Sequence, residues 1–253
     1  MTNVLTGKVA VITGAAQGLG AAFALALAEQ GATVIAGDIA STESACAAIT
    51  NAGGQGKGVM LDVTRAESVK AVFDDVKKAF GRLDVLVNNA AISGGIHLKP
   101  MLEVSTEEWD RVMTVNVRGT FECIKAAVPL MRVNNYGKII NLSSGTAVKG
   151  APGLPHYVAS KGAVISLTRA AAREFGGDGI RVNALAPGLT MSENMKSNPS
   201  WSSDIITNNI ATRALKREAV PGDLLGALVF LASPASDFVT GQTLSVDGGS
   251  VMN

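Results

Sequence analysis

Hydrophobic and polar positions alternate along the chain in two patterns. Short runs rich in Val, Ile and Leu are typical of buried parallel strands, and the longer segments between them carry apolar residues at helical spacing. The short runs predict strands at residues 8–13, 33–37, about 58–61, 83–87, 138–142, 181–185 and 243–246. The longer segments predict helices at residues 19–30, 43–51, 66–80, 106–131, 156–175 and 223–232.

This strand and helix alternation predicts an α/β fold, a doubly wound parallel sheet of about seven strands with helices on both faces. The chain has 253 residues, of which 47% are hydrophobic, and this is enough apolar material for one large core. Residues 189–218 are the least regular part and contain Met191, Met195 and Trp201. A long apolar loop of this kind is either a substrate-binding lid or a surface excursion with one short helix, and we expect the lid.

Charge and cysteine content narrow the possible partners. With 22 basic and 21 acidic residues and no basic run, the sequence predicts neither a nucleic acid nor an anionic membrane surface as partner. Cys46 and Cys123 lie far apart with no CxxC motif, and the chain has 2 His residues, so we expect reduced thiols and no metal site. No signal peptide or bilayer-length apolar run is visible, which predicts a cytoplasmic protein.

A glycine-rich turn follows the first predicted strand, where Gly14, Gly18 and Gly20 precede or open the first helix. Such glycines allow a tight turn and a close approach of the backbone to a pyrophosphate, which the positive end of the helix attracts. Asp38 ends the second strand 18 residues after Gly20. Its carboxylate can accept hydrogen bonds from ribose hydroxyls and would repel a 2′-phosphate, which favours NAD over NADP. The alternative is that Asp38 is a solvated strand end or a helix N-cap.

Tyr157 and Lys161 stand four residues apart in a predicted helix, so their side chains share one face. A neighbouring ammonium favours the phenolate, and we therefore expect the pKa of Tyr157 to lie below its ordinary value. Taken alone, the pair is an ordinary surface pair of an amphipathic helix.

The glycine spacing, the turn Asn88-Asn89-Ala90 and the Tyr-x-x-x-Lys motif together resemble the short-chain dehydrogenase/reductase family over essentially the whole chain. One departure is Ala91, where the family has Gly. The resemblance implies a single Rossmann-type domain over residues 1–253 that binds NAD. It further implies cofactor contacts at Gly14, Gln17, Gly18, Leu19, Gly20, Asp38, Asp62, Val63, Asn89, Ala90, Tyr157, Lys161, Pro187, Gly188, Thr190 and Ser192.

The resemblance also implies a catalytic set of Asn116, Ser144, Tyr157 and Lys161. Ser144 is preferred to Ser143 because it lies 13 residues before Tyr157, the family spacing. Tyr157 would be the acid and base, and Lys161 would lower its pKa and hold the nicotinamide ribose. Ser144 would hold the substrate oxygen, and the helix backbone at Asn116 would support a water relay.

The expected substrate wall is mostly apolar, without a charged anchor, which favours a neutral, fairly hydrophobic secondary alcohol or ketone. The substrate-binding residues would be Ser144, Thr146, Leu154, Tyr157, Met191 and Met195, with His97, Pro152 and Trp201 as further wall. His97 and His156 are each interpreted as a solvated loop residue, with a polar pocket contact as the alternative.

The sequence thus predicts an NAD-dependent secondary alcohol dehydrogenase or carbonyl reductase. The alternatives are a 3-oxoacyl thioester (acyl-carrier-protein) reductase and a non-catalytic, dinucleotide-binding regulatory protein. The family resemblance further implies a homo-oligomer, with a tetramer favoured.

Overall fold

The strands of the protein form one parallel sheet. The computed structural model of the chain describes residues 3–191, 198 and 200–252. The strands are β1 Val9–Thr13, β2 Thr33–Asp38, β3 Gln55–Met60, β4 Val85–Asn88, β5 Gly137–Leu142, β6 Ile180–Pro187 and β7 Thr243–Val246. Their order is β3-β2-β1-β4-β5-β6-β7, and every neighbouring pair is parallel.

The helices follow the strands in alternation. They are α1 Gly18–Glu29, α2 Glu43–Asn51, α3 Ala66–Phe80, α4 Thr106–Met113, α5 Gly119–Arg132, α6 Thr146–Lys149, α7 Pro155–Phe175, α8 Ser203–Ala211 and α9 Gly222–Ala232. A π-helical turn, Thr114–Arg118, joins α4 to α5, so the helix predicted at 106–131 is one helical segment with a local change of winding. Among the helices of the described part of the chain, none has the length and hydropathy needed to cross a membrane.

Each face of the sheet is covered by its own layer of helices. Because successive side chains of a strand point to opposite faces, Val9 and Val11 of β1 join one core cluster and Ala10 and Ile12 join the other. The first cluster includes apolar residues of α3, α5 and α7, and the second includes those of α1, α2 and α9. The predicted fold class, a single doubly wound Rossmann-like domain, is confirmed.

The order of the strands places a crevice between β1 and β4. The chain runs from β1 outward to β2 and β3, then returns across β1 to β4. In open α/β sheets, ligands bind at the carboxyl ends of the strands at this point of reversal. The glycine turn follows β1, and the Asn89-Ala90 segment follows β4.

Candidate active site

The glycine turn between β1 and α1 has the geometry of a phosphate cradle. Gly14 and Gly18 have φ angles of 67° and 58°, in the left-handed region that favours glycine. A Cβ on Gly14 would lie 2.8 Å from Cα of Ala90, and one on Gly20 would collide with the carbonyl oxygen of Gly14. Gln17 at the N-cap makes no capping hydrogen bond through its side chain. The first amides of α1 therefore fit an anionic ligand such as a pyrophosphate.

Asn89 and Thr13 lock this turn to the end of β4. The Nδ2 of Asn89 donates to the carbonyl oxygens of Thr13 and Gly14, over 3.0 and 2.9 Å. The Oγ1 of Thr13 in turn accepts from the amides of Asn89 and Ala90, over 3.1 and 3.0 Å. The Asn89 amide thus supports the cradle, and its direct cofactor contact stays a prediction. Ala91 has no positive φ, so the methyl group that replaces hydrogen brings no left-handed backbone strain.

Asp38 lies directly beside the glycine turn. Its Oδ2 accepts from the amide of Ala16 over 2.9 Å, and its Oδ1 accepts from the amide of Ala40 over 3.0 Å. A carboxylate offers about four acceptor positions, so these two bonds leave room for ribose hydroxyls. The position of Asp38 therefore fits the predicted role.

A cleft of about 540 Å³ opens next to Asp38, at the carboxyl ends of β2 and β3. Its lining consists of Ile39, Met60, Asp62, Arg65, Glu67 and Ser68. The Oδ1 of Asp62 accepts from the hydroxyl and amide of Thr64, over 2.7 and 2.9 Å, and the hydroxyl bond is the main reason that the pKa of Asp62 is lowered. The Val63 side chain is buried in the core, so the predicted cofactor contact of Val63 would have to come from its backbone.

Tyr157 and Lys161 lie on one face of α7, as predicted. The Nζ of Lys161 is 5.7 Å from the centre of the Tyr157 ring and donates to the carbonyl oxygen of Leu142 over 2.6 Å. Lys161 is only 3% exposed.

The prediction that the pKa of Tyr157 lies below its ordinary value is wrong. Burial raises the pKa of Tyr157, and a side-chain hydrogen bond with Ser144 opposes that rise. Burial also lowers the pKa of Lys161 to about 8, because desolvation disfavours the ammonium. Removal of both groups from water thus outweighs the attraction that the sequence motif suggested.

The two adjacent serines after β5 have different environments. The Oγ of Ser143 donates to the backbone carbonyl of Lys161 over 3.0 Å and is buried against α7. Ser144, in contrast, lies close enough to Tyr157 to lower the pKa of the phenol, and its Oγ accepts from the Thr146 hydroxyl over 3.0 Å. Ser144 is therefore the serine on the Tyr157 side, and its catalytic role stays a prediction.

Asn116 lies in the π-helical turn and is 1% exposed. Its Oδ1 accepts from the amide of Ile92 over 2.8 Å, and its Nδ2 donates to the Ile92 carbonyl and to the Ser160 hydroxyl, over 3.2 and 3.0 Å. The Ser160 hydroxyl donates to the carbonyl of Tyr157 over 2.7 Å. Asn116 thus connects the loop after β4 to the helix of Tyr157. π-helical turns occur frequently at functional sites.

A small apolar cluster lies next to Tyr157. Ile96, Val112 and Leu154 are buried there, and the rings of Tyr157 and Trp201 pack against them. Of the predicted wall, Leu154 and Trp201 belong to this cluster, and its contact with a substrate stays a prediction. Met191 is half-buried, Pro152 is exposed, and Ser192 and Met195 lie outside the described residues.

The loop after β6 approaches the site from the side of β7. The carbonyl of Pro187 accepts from the amide of Gly145 over 2.9 Å, and Thr190 donates to the Gly188 carbonyl over 3.2 Å. A Cβ on Gly188 would lie 2.8 Å from Cβ of Asp247, so glycine is required for this packing.

The two histidines differ from each other. His97 is exposed, and its Nδ1 lies 3.2 Å from the Ser200 hydroxyl. His156 is 3% exposed, so its interpretation as a solvated loop residue is wrong, because it lies on the inner side of the first turn of α7. Burial lowers the pKa of His156.

Two residues near the site were missed by the sequence analysis. Asn198 donates to the carbonyls of Gly94 and Ile96, over 2.8 and 3.0 Å, and so ties the segment after β6 to the loop after β4. Arg65 lines the cleft beside Asp62. The Asn198 contacts join residues more than 100 positions apart and depend on the folded structure. For Arg65 the available signal is its position two residues after Val63.

The glycine turn, the Asp38 carboxylate and the group of Tyr157, Lys161 and Ser144 lie at one edge of the sheet. Together they define a dinucleotide-binding oxidoreductase. Residues 14–251 match the family model described as enoyl-(acyl carrier protein) reductase. The chain is 41% identical to the 3-oxoacyl-(acyl-carrier-protein) reductase FabG of Thermotoga maritima, over 98% of this chain and 99% of that protein. It is 40% identical to the FabG of Staphylococcus aureus, over 97% and 98% of the two chains.

Two solved structures have the same fold as this chain. A candidate gluconate dehydrogenase from Agrobacterium tumefaciens superposes with a TM-score of 0.92 at 32% identity, over 100% of both chains. A candidate NAD(P)-dependent gluconate 5-dehydrogenase from Beutenbergia cavernae, with NADP bound at low occupancy, has a TM-score of 0.90 at 36% identity, over 97% of both chains. The chain belongs to the short-chain dehydrogenase/reductase family, which confirms the resemblance.

Proposed function

We propose that this oxidoreductase interconverts a neutral, fairly hydrophobic secondary alcohol and its ketone, with NAD(H) as cofactor. The observation that carries the proposal is the placement of Tyr157, with Lys161 Nζ 5.7 Å from its ring centre, beside Ser144 and an apolar wall. The glycine turn and Asp38 lie at the same edge of the sheet. This arrangement provides a proton donor, a hydroxyl for the substrate oxygen and a cofactor cradle.

In the proposed mechanism, the dinucleotide supplies the hydride or takes it up. Ser144 holds the substrate oxygen within hydrogen-bonding distance of Tyr157. In ketone reduction the Tyr157 hydroxyl donates its proton to that oxygen, and in alcohol oxidation the phenolate accepts it. Lys161 binds the ribose hydroxyls through its ammonium group. Asn116 keeps α7 in register with the loop after β4, and the water relay at its backbone stays a prediction.

Asp38 is the basis for proposing NAD rather than NADP. Its carboxylate would lie close to a 2′-phosphate and repel it. Among the described residues that line the neighbouring cleft, Arg65 is the cation, and it is paired with Glu67 over 2.9 Å. Fluorescence titration with NADH and NADPH tests the proposal, with Asp38→Asn as the matched variant. We expect NADH to bind at least about tenfold more tightly and the variant to reduce that preference; tighter binding of NADPH to the unmodified protein would refute it.

A 3-oxoacyl thioester reductase is the second candidate. The relatives that favour it are 40–41% identical over nearly their whole length. Steady-state rates with a short 3-oxoacyl thioester and with neutral apolar ketones, each with NADH and NADPH, separate the candidates. A kcat/KM at least about a hundredfold higher for the thioester would favour the second candidate.

A dinucleotide-binding regulatory protein without turnover stays the third candidate. It predicts cofactor binding with no turnover of any alcohol or ketone. A screen of secondary alcohols with NAD+, followed by absorbance of the reduced cofactor, distinguishes it from the first two.

We further propose that residues 189–218 act as a lid and that the protein is a homo-oligomer, with a tetramer favoured. The contacts of Asn198 and of His97 with Ser200 support the lid. Support for the oligomer comes from β7, an outer strand whose Leu244 is 36% exposed, because such edges are usually covered. Light scattering after size exclusion would measure the mass. The cytoplasmic location stays a prediction.

A further inference from the structure

The cleft beside Asp38 is lined by apolar and charged side chains, and its apolar side chains are largely exposed to solvent. Ile39 and Met60 line it and are 68% and 69% exposed, respectively. Two large apolar side chains in one open cleft indicate a surface that an apolar, flat ligand covers. The Asp38 carboxylate lies next to Ile39 in the chain, so the same ligand can reach both.

Arg65 is held at the rim of this cleft by its backbone and by its side chain. Its amide donates to the carbonyl of Asp62 over 3.2 Å, and its own carbonyl accepts from the amides of Ser68 and Val69, over 3.0 and 3.1 Å. The guanidinium donates to Glu67 through Nε and lies within 2.9 Å of it through Nη2. The plane of the guanidinium is therefore oriented, although the side chain is 65% exposed.

The charges of the lining favour a neutral ligand here over an anion. The cation of Arg65 faces two carboxylates of the same lining, those of Glu67 and Asp62. Hydrogen bonds hold the pKa values of both carboxyl groups below their ordinary values, so both are ionised at neutral pH. An incoming phosphate would meet a negative balance, whereas an aromatic base with an amino group can donate to a carboxylate.

We propose that Arg65 binds the adenine ring of the dinucleotide, with its guanidinium plane packed against the base and Glu67 holding that plane in place. The proposal rests on the proposed function only in requiring a dinucleotide. A planar guanidinium packs on aromatic rings better than an ammonium does. Arg65 therefore contributes to the affinity for the adenosine half of the cofactor and makes no contribution to the affinity for the nicotinamide half.

The test measures dissociation constants for NADH by fluorescence and for ADP-ribose by displacement of NADH. We expect Arg65→Ala to weaken both by roughly two- to fivefold, the range for an exposed cation on a ring. Arg65→Lys should recover only part of this loss, and Glu67→Gln should cause a smaller one. Turnover with reduced nicotinamide mononucleotide, which lacks adenosine, should keep its kcat/KM in Arg65→Ala. Lys70→Ala is the matched control, because Lys70 forms a surface ion pair with Asp74 on the same helix α3, outside the cleft.

Two outcomes would overturn the role of Arg65. Unchanged affinity of Arg65→Ala for ADP-ribose would mean that the side chain makes no contact with the adenosine half. NADPH is titrated in the same way, and a loss of affinity for NADPH with unchanged affinity for NADH and ADP-ribose would mean that Arg65 binds a phosphate. Neither outcome decides the Asp38 proposal, which depends on the ratio of NADH to NADPH affinity in the unmodified protein. Circular dichroism of each variant establishes that it is folded.

Discussion

Ser143 and Ser144 are chemically identical neighbours with opposite surroundings. Successive residues of an extended chain point to opposite sides, so only one of the two can face the site. Ser143 donates to the Lys161 carbonyl in α7, and Ser144 lies beside Tyr157 and lowers its pKa. The family spacing predicted Ser144, and the alternation at the strand end explains why only one of the two serines lies on the Tyr157 side.

Substitution of the two serines should separate catalysis from stability. We expect Ser144→Ala to lower kcat by about a hundredfold, the order of loss for one hydrogen-bond donor to a reacting oxygen. Ser143→Ala should cost about 1 kcal/mol of unfolding free energy through the lost bond to α7, with a much smaller effect on kcat. Steady-state kinetics and thermal unfolding of both variants measure this. Equal kcat losses would show that the spacing does not assign the roles.

Tyr157 should give the two reaction directions different pH profiles. Because burial raises its pKa, the phenol stays protonated through neutral pH and can donate a proton to a ketone. Alcohol oxidation requires the phenolate, so its kcat/KM should rise by about tenfold per pH unit in the alkaline range, while ketone reduction stays nearly constant around neutrality. Tyr157→Phe should lower both by about a hundredfold or more. An oxidation rate that is already constant between about pH 7 and about pH 9 would show that the bound cofactor or substrate reverses the effect of burial.

At the scale of elements, the segment from α4 to α5 shows what a periodic pattern misses. The spacing predicted one helix at 106–131, and the sequence has two residues that disfavour a helix interior in that range, Gly119 and Pro129. Pro129 instead lies within α5, and the change of winding falls at Thr114–Arg118. Its physical basis is tertiary, because Asn116 in that turn bonds to Ile92 and Ser160. The sequence around Asn116 does not indicate these hydrogen-bond partners.

Asn116→Leu should therefore destabilise the fold. The substitution removes three side-chain hydrogen bonds and leaves the partly buried amide of Ile92 without its acceptor. We expect a loss of about 2 to 4 kcal/mol in unfolding free energy, measured by denaturant titration. Asn51→Ala, at the exposed end of α2, should change it by less than about 0.5 kcal/mol. A stable Asn116→Leu protein would mean that the π-helical turn is set by helix packing alone.

The lid prediction can be tested at Asn198. Its two bonds to the carbonyls of Gly94 and Ile96 connect the two sides of the apolar wall. Asn198→Ala should raise KM for the alcohol or ketone by roughly tenfold, because the closed arrangement loses two hydrogen bonds. The thermal midpoint should fall by only a few degrees, since two lost bonds cost about 1 to 2 kcal/mol of unfolding free energy. Asn208→Ala, at an exposed position of α8, is the control, and equal KM values for the two variants would contradict the lid.

At the scale of the whole molecule, the sequence predicted strand positions best where a strand is buried on both faces. β1, β4 and β5 are fully buried, and their apolar runs identify them. The edge strand β3 is largely exposed and reads Gln-Gly-Lys-Gly-Val-Met, so its apolar pattern identified only its end. Contacts across the fold, such as Asn89 to Thr13, join residues 76 positions apart and follow only from the order of the strands.

Cofactor binding should couple the stability of the whole molecule to pH through Lys161. Burial lowers its pKa to about 8 in the protein without cofactor, so the ammonium loses its proton as the pH rises through that value. Ribose hydroxyls that accept from the ammonium favour the charged form, so binding raises the pKa and takes up a proton above about pH 8. NADH affinity should then be constant below about pH 8 and fall by up to about tenfold per pH unit above it.

Since bound ligand stabilises by mass action, each tenfold loss of NADH affinity removes about 1.4 kcal/mol, or roughly 3 to 5 °C of the NADH-induced shift in Tm. Thermal unfolding with and without NADH from about pH 7 to about pH 9.5 measures this. Lys161→Met should give a small shift without that pH dependence, and Lys70→Met should behave as the unmodified protein. A shift in the unmodified protein that stays constant over the range would show that Lys161 does not bind the cofactor as an ammonium.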